Sequence, residues 1–135
     1  IVNQPGRVPV RKLKNIVYFP DIMPTFAALA GGEKALPQNI DGMNILPLFY
    51  GGKADTDNRL LYWEFTGKQR AARRGDWKCV TVKPNRPLEL YNLKDDPEER
   101  NNLADKYPEM VRQFDKEMRQ MHKPTPNWPL PGETF

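Results

Sequence analysis

Apolar and polar positions change period twice along this chain. Between Asp21 and Ala30, Ile22, Phe26 and Leu29 fall on one side of a helical wheel, which predicts a helix over about 21–30. Asp21 stands where a carboxylate can accept first-turn N–H groups, and Pro24 takes a first-turn position that needs no N–H. Gly31-Gly32 then offers the left-handed stop that glycine adopts at little cost. Before the helix, residues 1–15 mix Pro, Gly and basic residues and read as an exposed arm. The run "IVYFP" at 16–20 is short and β-prone, and Pro20 closes it. After the helix, Asp41-Gly42 marks a turn, and "ILPLFYGG" reads as a short helical turn closed by glycines.

From Leu60 the period falls to two. In "LLYWEFT", Leu61, Trp63 and Phe65 share one face, taken as the core face, with Tyr62 and Glu64 on the other. "RAARRG" is a second short strand, Gly75-Asp76 a turn, and "WKCVTVK" a third strand. A turn over Pro84–Pro87 leads to "LELYNL", with Leu88 and Leu90 opposite Glu89 and Tyr91. Strands joined by short turns imply an antiparallel meander. Asp95 or Asp96 ahead of Pro97-Glu98-Glu99 is a turn and helix-start signal. Tyr107, Met110, Val111, Phe114, Met118 and Met121 then recur at steps of three and four, which predicts an amphipathic helix over about 108–122. Its methionine stripe is expected in the core. Its polar face carries Glu109, Arg112, Asp115, Lys116 and Arg119, with Asp115 and Arg119 spaced as an i,i+4 pair. The Pro-rich end, 124–135, reads as an extended tail docked by Trp128. The expected class is α+β: a four-stranded antiparallel sheet packed against a long C-terminal helix and preceded by a short helix.

Composition narrows this only a little. A chain of 135 residues suits one compact domain with a core of its own, and 14 prolines with 39% apolar residues imply irregular stretches beside a modest core. The net charge of +4 favours anionic partners weakly, because 17 acidic residues are interspersed. Cys79 is the sole cysteine, so no intrachain disulfide forms, and its strand pattern makes it a buried small hydrophobe. No run approaches the roughly 18 apolar residues of a membrane span, and no signal peptide is visible. The first residue is not Met, so the chain is expected to be an excised domain or the tail of a larger protein.

The residues offer little chemistry. His122, the one histidine, falls at the end of the long helix, where a cation suits the dipole, and it reads as structural. Nothing supports a nucleophilic pair between Cys79 and His122. No zinc spacing appears, and Asp95, Asp96, Glu98 and Glu99 lack the alternation and glycine of a calcium loop, so they read as a solvated turn. No phosphate loop or dinucleotide fingerprint is present. Lys68, Arg70, Arg73 and Arg74, beside Tyr62 and Trp63, could imitate a single-strand nucleic-acid surface. Trp63 is assigned to the core and acids flank the cluster, so nucleic acid is not an expected partner. The plain reading is a solvated hairpin with one structurally paired arginine.

Four stretches, in order, resemble the C-terminal end of the arylsulfatase family. "YFPDIMPTFAALAGG" resembles its D-x-x-P-T helix followed by L-A-G, and "IDGMNILPLFYGG" its D-G-x-x-L-x-P-L-L-x-G. "RLLYWEF…RAARRGDWK" is similar to R-x-L-Y-W-E with A-V-R-x-G-D-W-K, and "LELYNLKDDPEERNNLA" to L-Y-D-L-x-x-D-P-x-E-x-x-N-L-A. The resemblance covers about 16–122. It implies a two-part sulfatase: a large α/β domain of alkaline-phosphatase type with the active site, and a small subdomain of four antiparallel strands on one long helix. Residues 1–55 would be the last elements of the large domain, with the helix at 21–30 left over from it. Residues 56–123 would be the subdomain and 124–135 a tail.

Catalysis in that family rests on a formylglycine made from the Cys or Ser of C/S-x-P-x-R, together with calcium. Cys79, followed by Val-Thr-Val, does not match, so no catalytic or metal residue carries over to this chain. Its expected partners are the N-terminal catalytic domain of the same protein and a sulfated carbohydrate, with no nucleic acid and no membrane. Self-association is expected through an exposed apolar surface around Ile16, Val17, Phe19, Phe26 and Leu29. The first hairpin of such a subdomain often borders the substrate cleft. Glu64, Lys68, Gln69 and Arg70 are therefore the candidate substrate-binding residues, since Arg and Lys hold sulfate oxygens by charge-assisted hydrogen bonds. The resemblance also implies a periplasmic or secreted location. A stand-alone module for acidic polysaccharides and a purely structural interaction domain stay open as alternatives.

Overall fold

The computed structural model describes residues 1–65, 69–83, 86–127, 129–130 and 134. They divide into two compact units, Ile1–Asp57 and Asn58–Phe135.

In the first unit a 3-10 turn, Phe19–Asp21, runs into helix α1, Ile22–Leu29. The β-prone run at 16–20 forms no strand. Tyr18 O accepts the Asp21 N–H at 3.0 Å and an Asp21 carboxylate oxygen accepts the Tyr18 N–H at 3.0 Å, which closes a turn instead. Pro20 could not have donated to a ladder in any case. The cap expected of Asp21 is also corrected. Its backbone is already helical (φ −68°, ψ −19°), and its side chain makes no cap bond. Its other oxygen accepts the Met43 N–H at 3.0 Å instead, so this fully buried carboxylate ties the 40s loop to the helix start. One turn on, the buried Thr25 hydroxyl accepts the Ile45 N–H at 3.0 Å. Between these pins Gly42 crosses so close to Pro20 that a Cβ would lie 2.0 Å from its carbonyl oxygen.

At its other end α1 stops as its glycines predict. Gly31 takes φ +71°, Gly31 N–H bonds Ala28 O at 3.3 Å, and Gly32 N–H bonds Ala27 O at 2.8 Å. A short α2, Leu46–Phe49, follows, with Ile45 and Leu48 buried. The predicted apolar side of α1 is not inside: Ile22, Phe26 and Leu29 are 40–59% exposed, and Phe19 85%.

The second unit holds β1 Leu61–Phe65, β2 Gln69–Arg74, β3 Trp77–Thr81 and β4 Glu89–Asn92, all antiparallel in the order β1-β2-β3-β4, and then α3, Pro108–Met121. Gly75, at φ +56°, makes the two-residue turn that pairs Arg74 with Trp77. That register lines Ala72, Cys79 and Leu90 across three strands, and these pack on Phe114 and Met118 of α3 to form the core. Tyr62, paired with Ala72, packs against the same cluster. The face assigned to β1 is therefore corrected in part: Leu61 is buried as expected, but Tyr62 shares the side of the core cluster, and Trp63 and Phe65 are 40% and 66% exposed. Alternation fixed which residues go together, but the partner strand decided which set goes inward.

The loop after β4 makes turns rather than a helix start. Asp96 accepts the N–H groups of Arg100 (3.1 Å) and Asn101 (2.8 Å), which holds its carboxyl below the usual range. Glu99 is the one non-glycine among the described residues at positive φ, +56°. Lys78 holds both its oxygens, at 2.6 and 2.7 Å. Asn102 accepts the Leu90 N–H at 3.0 Å, and Leu103 N–H bonds Leu90 O at 2.8 Å. Trp77 meets Tyr107 edge to face at 5.3 Å. The D-W-K and D-P-x-E-x-x-N-L motifs are thus one structural fastening. Trp128 and the Pro84-Asn85 step of the third turn lie outside the described residues.

Candidate functional site

The first hairpin places its candidates on two faces. Gln69 pairs with Phe65 on the face away from α3, and its amide donates to Val82 O at 2.8 Å. Together with Glu64 and Arg70, and with Trp63, Phe65 and Val82, it lines a shallow depression of about 110 Å³. Glu64 and Arg70 are ladder partners on the other face. Lys68 lies outside the described residues.

The arginines are largely spoken for. In β2 the alternation sends Arg70, Ala72 and Arg74 toward the helix. Arg70 lies 3.5 Å from Asp115, and its side chain is 12% exposed. Its Nη1 is buried with no hydrogen-bond partner among the described residues. The two terminal nitrogens of Arg74 each lie 3.1 Å from an oxygen of Glu117. Arg73, on the opposite face, donates through Nε to Gly75 O at 2.9 Å. The sequence had allowed for one paired arginine, and three are engaged. Such half-buried pairs each contribute about 0.2–1 kcal/mol, more to orientation than to stability.

Glu64 is engaged too, by residues the sequence did not connect to it. His122 Nδ1 lies 2.6 Å from Glu64 Oε1, and the Tyr62 hydroxyl donates to the same oxygen at 2.5 Å. His122 caps α3, and its side chain is buried. It does not simply face solvent at the helix end. The parity of β1 was the missing signal: with Ala72 and Cys79 recognised as the inward residues, Tyr62 and Glu64 follow by register.

Cys79 is fully buried, and burial, assisted by the nearby Asp115 charge, pushes its thiol up to about 12. Tyr91 is also pushed up to about 12, by burial and by its hydrogen bond to Glu89 at 2.8 Å. Cys79 is followed by Val-Thr-Val and packed in the sheet, so it does not fit a formylglycine position. Among the described residues no group of three His, Cys, Asp or Glu side chains is placed to hold a metal ion. No helix there is long and apolar enough to cross a membrane.

The family model described as "N-sulphoglucosamine sulphohydrolase, C-terminal" matches residues 1–124. The chain belongs to that family. Among curated relatives of this sulphohydrolase C-terminal region, Arylsulfatase K of Canis lupus familiaris is 30% identical over 128 residues. That match covers 85% of this chain and 24% of the relative, so the chain spans about a quarter of the enzyme's length. Among solved structures, Ps i-CgsB in complex with k-i-k-neocarrahexaose is 27% identical with a TM-score of 0.65, over 83% of this chain and 26% of that one. A 2-O GAG sulfatase is 26% identical with a TM-score of 0.60, over 74% and 23%. The α+β arrangement and the sulfatase resemblance read from the motifs both stand.

Proposed function

We propose that this chain is the C-terminal portion of a sulfatase that hydrolyses sulfate esters of sugars or aryl sulfates, with a structural role and a share in the substrate cleft. The observation that carries the reading is the family match over 1–124. The solved structures in complex with k-i-k-neocarrahexaose or described as a 2-O GAG sulfatase support a sulfated-sugar substrate class. In this reading the formylglycine and calcium belong to polypeptide other than these residues. The apolar residues of α1 rest against that catalytic portion, and the whole enzyme works in the periplasm or outside the cell.

In the cleft, the first hairpin carries Glu64, Lys68, Gln69 and Arg70. Arg70 supports the assignment best, since it brings a guanidinium to the lining of the same depression as Gln69. A guanidinium donor of that kind suits a sulfate oxygen. The test has two arms. The 135-residue chain, incubated with aryl sulfates and sulfated oligosaccharides, should release no sulfate. It should also bind no sulfated glycan by calorimetry, whereas tight binding alone would favour a stand-alone polysaccharide module. In the complete enzyme Arg70→Ala should lower kcat/KM by about tenfold or more, the scale of one charge-assisted hydrogen bond. An unchanged value would remove Arg70 from the wall.

A further inference from the structure

We propose that Tyr62, Glu64 and His122 form a proton-responsive clasp that fastens the first hairpin to the end of α3. The inference rests on the geometry of the second unit alone and stands apart from the sulfatase reading. The His122 and Glu64 side chains are 3% and 17% exposed and 2.6 Å apart, and 58 residues of chain separate them. His122 is also fixed through its backbone, whose N–H bonds Met118 O at 3.1 Å. Helix end and imidazole therefore move together. At the other side, Glu64 sits near the end of an edge strand bound along one side by β2. Tyr62 donates to the oxygen that meets the imidazole, so one carboxylate atom gathers both contacts.

Among the described residues, the charged and titratable groups around the clasp include the following. From β1 come Glu64 and Tyr62. From β2 comes Arg70, opposite Glu64 in the ladder, with its guanidinium at Asp115. From α3 come Asp115 and Arg119, themselves paired at 2.9 Å. With the imidazole neutral, Nδ1 carries the one ring proton and donates to Glu64. When the ring takes a second proton from solvent, the same contact becomes an ion pair in a largely water-excluded place, and the carboxylate favours that form. An unperturbed imidazole titrates near about pH 6.5. A folded state that favours the imidazolium gains stability below that value and gives it up as pH rises through the folded midpoint. The clasp is thus tight in mild acid and slack above neutrality, and the slack falls on the hairpin.

His122 is the only histidine, so its ring gives one unambiguous NMR titration. In the full chain, imidazole and backbone amide shifts are followed between about pH 5 and 8.5, a window centred on the ordinary imidazole value. The amides of Leu61–Phe65 and Gln69–Arg74 should move with the same midpoint as the ring. Glu64→Gln keeps the shape and removes the charge, and it should lower that midpoint by about one pH unit. Glu64→Asp keeps the charge, withdraws it by one methylene, and should give an intermediate value even if the glutamine variant fails to fold. Hairpin amides that ignore the ring's titration, or a midpoint indifferent to residue 64, would overturn the clasp.

Discussion

The two units are held together by opposite means. In Ile1–Asp57 the fully or nearly fully buried side chains include Asp21, Thr25 and Thr56, and the helix shows its apolar side to the outside. Loops are positioned by hydrogen bonds aimed at single backbone N–H groups. In Asn58–Phe135 the centre is Ala72, Cys79, Leu90, Phe114 and Met118, and the charges lie around its rim. The second unit has what a small domain needs for its own stability. The first has the geometry of a fold with little of its apolar burial, and this is why its large hydrophobic side chains stay exposed.

That contrast can be broken from either side. Leu90→Ala removes a side chain with no exposure from the centre of the second unit and should cost about 3–5 kcal/mol, read as a drop in the urea midpoint of the sheet and helix signal. Asp21→Ala leaves the Tyr18 and Met43 N–H groups without their carboxylate and should cost the first unit about 2–4 kcal/mol. Hydrogen exchange should show it as faster exchange at residues 18–45, with β1–β4 unaffected. Lys78→Met breaks a half-exposed pair and should cost about 1 kcal/mol or less, visible as earlier exchange in the 96–103 loop. The smallest effect belongs to Asp96. Its lowered carboxyl contributes stability above its ordinary value of 3.8, which is lost as pH falls through the folded midpoint. Asp96→Asn should flatten that acid slope in a stability-against-pH series and change little at neutral pH.

Period and punctuation made much of this legible. Helix α3, the four strands, the Gly75-Asp76 turn and the glycine stop of α1 follow from spacing and from the backbone freedom of glycine. What was hidden depends on contacts between distant residues. Trp63 and Phe65 look like core because they are large, yet the small Ala72 and Cys79 mark the face that a helix can approach. Asp21 looks like a helix cap, but its partner, the Met43 N–H, lies 22 residues away. His122 suits a helix end on charge alone, and only the register of β1 shows that Glu64 waits there. The candidate residues of the hairpin were proposed by resemblance. Their division between two faces of the sheet was not available from a linear pattern.

Asn102 has a consequence for how this sheet can meet other chains. Its amide and the neighbouring Leu103 N–H occupy the Leu90 main-chain groups much as a fifth strand would. A foreign strand that tried to add beside β4 would first have to evict them. Ladder growth, whether by a bound peptide or by an aggregate, would have to begin at the β1 margin, where Glu64 is the one charge.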